Sequence, residues 1–359
     1  MSEQLDLTES TDNALAGDGF VGGVDLGGTK ILAVVVGPKG DLVGRAKKAT
    51  GRNHEPSAVI DRIVKCLTEA ASEAGITPDQ LRAVGIGAPG PVVRDEGVVT
   101  VAVNLDWHNV PLKTELESRL GVPVVVENDV RVAVLAEHVA GAGRGTRSMV
   151  GIWPGTGIGG GVIVNGEIVN GANNAAGEIG HITIKAGGPL CACGGRGHLE
   201  ALASRSAISR EIADRVRKGK KTLLTALVEG DVAKATSGDL AEAFRQGDKV
   251  VVRSINRSAK YLSMGIASIA NVLNPEMIVL GGGLVEALGE PYVRRVTEEV
   301  RERPMFAATG SVQIVPAALQ DDAGVVGACL IARRLATTMP TPPTSNGFDE
   351  SVAAPSAEG

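Results

Sequence analysis

Cys191, Cys193 and His198 fall within one short stretch, CACGGRGHLE (191–200), of a chain that has only four cysteines. Thiolate and imidazole donors at such short spacing suit tetrahedral Zn²⁺, and C-x-C-x4-H supplies three of the four ligands needed. GEIGHITI, ten residues upstream, offers His181 as the fourth. A shell closed by four protein ligands leaves no position for a catalytic water, so such a site would be structural. The competing reading is a Gly-rich loop with incidental thiols. Two other stretches could hold phosphate. DLGGTK (25–30) and GTGIGGG (155–161) each combine tight-turn amides with a hydroxyl, and the first adds an ammonium. Taken singly, either reads more readily as an ordinary hairpin turn. Asp25 adds a carboxylate suited to positioning a hydrated Mg²⁺. A third cluster, LGGG (280–283), ends an apolar run and precedes a helical pattern, where it could flank a nucleotide or simply turn the chain. Asn128 and Asp129 close the apolar run VPVVVEND, at the end of a strand where α/β sheets tend to place ligands. An Asp here serves either as a helix N-cap or as a base for an attacking hydroxyl, and the two roles are compatible.

These groups must be carried by a Gly-rich α/β scaffold. VGGVDLGGTKILAVVV reads as strand, Gly turn, strand, followed by the short strand LVGRAKK, and MVGIWPGTGIGGGVIVNGEIVNG repeats the plan. The repetition points to an internal duplication with one copy founding each of two domains, and it makes phosphate loops the better reading of both turns. A helix over 57–74, the strand AVGIGAPGP and the strand VPVVVEND follow the first copy. Long helical patterns and the buried strand MIVLGGG follow the second. The reading divides the chain into an N-terminal α/β domain (20–135), a larger C-terminal α/β domain with the Cys/His loop (136–322), and a final helix (323–336) that returns to the first domain. Residues 1–19 and 339–359, polar or rich in Pro, Ser and Gly, are predicted to be unstructured tails.

Composition sets the outer limits. Hydrophobic residues make up 43% of the 359 positions but aromatics only 2%, so the cores are aliphatic. A net charge of −5 with no dense basic block argues against a nucleic-acid surface, and no apolar run is long enough to span a membrane. The polar, acidic N-terminus resembles neither a signal nor a transit peptide, so the expected location is the reducing cytoplasm, where clustered cysteines more often bind metal than pair.

In order and approximate spacing, DLGGTK, END, GTGIGGG, AGEIGH, CACGGRGHLE and IVLGGG resemble the ROK family (repressors, open reading frames and sugar kinases), over about residues 20–336. The resemblance implies two actin-like (ribonuclease-H-like) domains with a central cleft and, with its glucose-phosphorylating bacterial members as the nearest pattern, ATP-dependent phosphorylation of a hexose at O6. By it, Asp129 matches the catalytic base. Gly90, Asn104, Asn128, Glu178, His181 and Glu200 match sugar-side positions, with His181 also a zinc ligand. Gly27, Gly28, Thr29 and Lys30, then Thr156 and Gly157, match the phosphate loops, and Gly282 and Gly283 the adenosine side. ATP, Mg²⁺ and a structural Zn²⁺ are the implied cofactors, and a dimer or tetramer the implied assembly. Other sugars (mannose, fructose, N-acetylglucosamine, N-acetylmannosamine) and polyphosphate as donor stay open. A DNA-binding repressor would need an N-terminal helix-turn-helix, which about 20 polar residues cannot form, and a non-catalytic sugar sensor fits poorly with Asp129 and two phosphate loops. Two positions depart from the pattern. His198 stands where a third cysteine is usual, giving a Cys2His2 set. Arg131 stands where asparagine is usual, either on a solvated helix face or with a small electrostatic effect on Asp129.

Overall fold

The computed structural model describes residues 13–303 and 310–339. The apolar run from Phe20 breaks at Gly27–Gly28 into β1 (Phe20–Leu26) and β2 (Lys30–Val36), an antiparallel pair that β3 (Leu42–Ala49) extends. The helix Pro56–Glu73 then crosses back, burying Val59, Ile60, Ile63, Cys66, Leu67, Ala70 and Ala71 at helical spacing, so that β4 (Leu81–Ala88) adds parallel to β1. β4 stops at Pro89–Gly90, where proline ends the ladder. A small antiparallel sheet of β5 (Val92–Val93), β6 (Val98–Ala102) and β7 (Trp107–Val110) intervenes before β8 (Val124–Asn128), giving the order β3-β2-β1-β4-β8.

The second sheet repeats this plan. β9 (Met149–Pro154), β10 (Ile158–Val164) and the two-residue β11 (Glu167–Ile168) form the antiparallel part, and β12 (Met277–Leu280) and β13 (Gln313–Pro316) add in parallel, in the order β11-β10-β9-β12-β13. The duplication expected from the two Gly-turn motifs is therefore present strand for strand. Each sheet has its own aliphatic core. One is built on Val24, Ile31, Ile63, Val84 and Val126, the other on Val150, Ile152, Leu262, Ile266 and Ile278. Two helices, Asp129–Val139 and Ala323–Thr337, pack on each other. The first also meets β10, while the second lies over β1 and β4. Among the described residues no helix is long and apolar enough to cross a membrane.

The N-terminal tail differs from its expected course. Residues 1–12 and 340–359 lie outside the described residues, but residues 13–19 are packed rather than unstructured, with Leu15 fully buried against the final helix. The cause is Arg333, 4% exposed, whose guanidinium donates to four backbone carbonyls: Nε to Leu15 (2.8 Å), Nη1 to Asp18 (3.1 Å) and Gly19 (3.0 Å), and Nη2 to Gly37 (3.0 Å). Polarity made 13–19 read as tail because sequence cannot show a donor arriving from residue 333. Arg333→Leu should lower stability by about 2–4 kcal/mol, since the carbonyls lose a charged donor, and should open residues 13–19 to proteolysis. Thermal melting and limited digestion test this, and an unchanged digestion pattern would show that the arm is held by Leu15 alone.

Candidate active site

β8 ends beside β4, with Asn128 paired to Ala88, and the chain turns directly into the helix Asp129–Val139. The cap of that helix is Asn128 rather than Asp129. Its backbone is extended (φ −63°, ψ 139°), and its Oδ1 accepts from the amides of Val130 and Arg131, both at 3.1 Å. Asn128 Nδ2 donates to Asp129 Oδ1 (2.9 Å) and to the carbonyl of Gly90 (3.1 Å). Gly90 needs to be glycine, because φ is +88° and a Cβ would lie 1.9 Å from the Val101 carbonyl oxygen. Asp129 Oδ1 also accepts the Val130 amide at 2.8 Å, and the residue keeps partial solvent access.

Burial pushes the Asp129 carboxyl up to about 7, and the nearby Asp25 carboxylate adds to the rise, against the Val130 and Asn128 hydrogen bonds. Asp25, at the end of β1, is itself pushed up by burial to about 6, opposed by the Lys30 ammonium. Two desolvated carboxyls at the ends of β1 and β8 thus oppose each other's ionisation, a deficit that a divalent cation relieves. Lys30 Nζ is engaged outward with Asp321 at 2.9 Å. The first turn is tied by the amide of Gly27 on the Lys30 carbonyl (2.9 Å), the amide of Thr50 on the Thr29 carbonyl (2.9 Å) and Thr50 Oγ1 on the Gly27 carbonyl (2.7 Å). Neither Gly27 nor Gly28 has positive φ. What Gly28 supplies is room, since its Cβ would sit 3.1 Å from Cβ of Asn104, an exposed residue in the single turn Val103–Leu105.

The second turn is tied to the Cys/His loop. Glu200 Oε2 accepts the Ile158 amide at 3.0 Å, while its Oε1 lies 3.3 Å from Cys191 Sγ. Gly157 does not need positive φ. A Cβ there would fall 2.3 Å from Glu200 Oε2, so a side chain at 157 would have to displace that carboxylate. The sequence reading missed two neighbours. Arg205 Nη2 donates to Thr156 Oγ1 and Ser206 Oγ to the Thr156 carbonyl, both at 2.7 Å. Arg205 opens the helix Arg205–Arg217, where a cation opposes the helix dipole, and that misfit was the available signal. Gly282 (φ +81°) packs on the Pro154 carbonyl, just before the second turn, and Gly283 starts the short helix Gly283–Leu288.

Glu178 and His181 flank one helical turn, Ile179–His181, with Glu178 Oε2 3.8 Å from His181 Nε2. His181 Nδ1 lies 3.8 Å from Cys191 Sγ, and Cys193 Sγ lies 3.2 Å from His198 Nδ1. The knuckle 191–195 is closed by the Cys191 amide on the Gly195 carbonyl (2.8 Å) and the Gly194 amide on the Cys191 carbonyl (3.0 Å). One donor atom from each of His181, Cys191, Cys193 and His198 lies within 4.8 Å of all the others. Tetrahedral zinc needs donors about 3.3–3.8 Å apart, so a small contraction fits the set to such an ion. Burial raises the Cys191 thiol to about 11.

The family model described as the ROK family matches residues 21–335. The chain belongs to the ROK family. A glucokinase of Thermotoga maritima is 36% identical over 312 residues, which is 87% of this chain and 96% of that one. Among solved structures, a ROK family glucokinase from Streptomyces griseus in complex with glucose and AMPPNP superposes with a TM-score of 0.75 at 35% identity, covering 88% of this chain and all of that one. A ROK hexokinase from Thermus thermophilus gives a TM-score of 0.74 at 32% identity, covering 89% of this chain and all of that one. The two-lobed actin-like architecture expected for a ROK chain is therefore the one observed. The position at which this ROK chain carries Arg131 is not a solvated face: Arg131 is 4% exposed, and it is absent from the groups that shift Asp129.

The carboxyl pair yields a direct test. In ligand-free, metal-free protein, carboxyl NMR should find Asp129 titrating near 7. Asp25→Asn should move that midpoint down, since it removes a like charge that disfavours ionisation. A midpoint that stays in place would separate the two carboxyls.

Proposed function

We propose that the protein is a glucokinase, transferring the γ-phosphoryl group of ATP to O6 of glucose with Asp129 as general base. The observation that carries this reading is a desolvated carboxyl with its pKa raised to about 7, directly after β8, in a chain of the ROK family. A base poised near neutrality is matched to taking a proton from an alcohol. Phosphoryl transfer otherwise asks the protein for alignment and charge neutralisation. In this reading, Gly90, Asn104, Asn128, Glu178, His181 and Glu200 hold the hexose, with O6 directed at Asp129. The amides around Gly27–Thr29 and Thr156–Gly157 hold the phosphates, helped by Lys30, with Gly282 and Gly283 beside the adenosine. As the O6–Pγ bond forms and the bond from Pγ to the β-phosphate oxygen breaks, Asp129 accepts the O6 proton and ADP leaves. Mg²⁺ held through Asp25 would neutralise charge on the β- and γ-phosphates. Closure of the two lobes would exclude water that otherwise competes for the phosphoryl group.

The Cys/His cluster serves this reading as a structural zinc site. His181, Cys191, Cys193 and His198 would hold the ion, which fixes the loop that carries Glu178 and Glu200. Because Glu200 also accepts the Ile158 amide, the loop supports both substrates' sides of the cleft.

Asp129→Asn should reduce turnover by about 10²–10⁴-fold while glucose still binds. Wild-type kcat/KM should fall as pH drops through about 7, where the base becomes protonated. A coupled ADP assay over glucose, mannose, fructose, N-acetylglucosamine and N-acetylmannosamine, each with ATP and polyphosphate, should give glucose with ATP the highest kcat/KM. An Asp129→Asn enzyme within a few-fold of wild type sinks the assignment.

Elemental analysis should find about one zinc per chain, as a single four-ligand site requires. His198→Ala should lose the metal and weaken glucose binding, whereas His198→Cys should keep both. Full metal occupancy in His198→Ala would remove His198 from the ligand set.

A further inference from the structure

Arg131 follows Asp129 by two residues, and its side chain is only 5% exposed. A guanidinium this deep must be answered by acceptors. Nη1 donates to the Asn174 carbonyl at 2.8 Å, Nη2 donates to Asn170 Oδ1, and Nε lies 3.5 Å from Glu127 Oε1. Asn174, held at φ +56°, turns its own amide back: Nδ2 donates to the Val92 carbonyl (3.2 Å) and to Glu127 Oε1 (3.3 Å). The same Glu127 oxygen accepts the Asn128 amide at 2.9 Å.

These contacts join parts of the fold that the chain does not otherwise join. Glu127 lies near the end of β8 and Val92 starts β5, both on the first lobe, whereas Asn170 and Asn174 belong to the loop that leaves β11 of the second. That loop runs directly into Glu178 and His181. Within it, the Ala176 amide on the Asn170 carbonyl is a local tie, so its attachment to the first lobe rests on Arg131 and Asn174. The Glu178 carboxylate lies close enough to act on the Arg131 charge.

We propose that Arg131 is a positioning residue for the hexose: its two-pronged grip on Asn170 and Asn174 sets Glu178 and His181 at a fixed place relative to Asp129. The proposal rests on the hexose kinase reading above and adds a residue to it. Arginine is required because its planar fork presents donors in two fixed directions, which lysine's single ammonium does not. Asparagine is too short to span from the helix to both partners.

The test uses Arg131→Lys and Asn170→Ala in the full chain. Each should raise the KM for glucose about tenfold, the scale of one lost charge-assisted hydrogen bond, with kcat and the KM for ATP changed by about twofold or less. Combined, they should do no more than Arg131→Lys alone, because the contact that Asn170→Ala removes is already lost in Arg131→Lys. Without ligand, amides over 170–181 should exchange about tenfold faster in Arg131→Lys, well beyond any change at β12. An unchanged glucose KM in folded Arg131→Lys, a parallel rise in both KM values, or additive effects would overturn the proposal. Should Arg131→Lys not fold, Asn170→Ala removes the same contact from the loop side and decides alone. Failure of the kinase reading would appear separately, as wild-type protein that forms no hexose-dependent ADP, and the exchange experiment would still report whether Arg131 holds the loop.

Discussion

The close approach of the helices Asp129–Val139 and Ala323–Thr337 is the contact on which the arrangement depends. A Cβ on Gly327 would lie 1.9 Å from the Val132 carbonyl oxygen, so the two backbones meet with no side chain between them. That approach seats the first helix between the sheets and points its N-terminus, with Asn128 and Asp129, into the cleft. The other end of the same helix is pinned by Glu137, fully buried, which accepts amides from Ala142 (2.8 Å), Ala318 (3.1 Å) and Leu319 (2.7 Å). Ala142 lies on the passage from the first lobe to β9, and Ala318 and Leu319 on the return from β13. One carboxylate therefore ties both crossings between the lobes together.

The cleft is organised by unfavourable electrostatics held in place by favourable packing. Asp25 and Asp129 are brought to the same edge of the first sheet, with β4 between their strands, because β1, β4 and β8 are parallel, and their burial outweighs the groups that favour ionisation, which leaves both with raised pKa values. A site like this is stable only because the sheets and the helix pair over-determine it. On the opposite side, Glu200 divides its two oxygens between an amide of the second glycine turn and the Cys191 thiol, so that turn and the Cys/His knuckle share one side chain.

Much of this was legible in the sequence. The paired Gly-turn motifs foretold two sheets of one plan, and the apolar periods gave the helix Pro56–Glu73 to within a residue of its expected ends. C-x-C-x4-H with His181 foretold a cluster whose donor atoms do converge. What escaped was long-range and polar. The assignment of the helix cap to Asn128 depended on backbone angles, the crowding at Gly157 on the distance to Glu200, and the order of residues 13–19 on Arg333. Arg131 was open to two readings, a solvated helix face or a small effect on Asp129, because nothing near it in sequence reveals that Asn170 and Asn174 arrive over it. Periodicity reports which face is apolar, but it is silent on which buried cation finds which carbonyl.

The final helix carries one more consequence, for synthesis. It covers β1 and β4, and its Arg333 fastens residues 15–19, yet it leaves the ribosome more than 300 residues after the arm it secures. The first lobe emerges early but must wait with an apolar face uncovered while the whole second lobe is made, a long-range closure of the kind that slows folding and invites aggregation. Because the grip of Arg333 on Leu15 brings the first and last described residues near each other, a permuted gene that translates 323–339 ahead of residue 13 would keep the contacts while making them local. The order of the coding sequence, rather than the fold, sets how long that surface stays open.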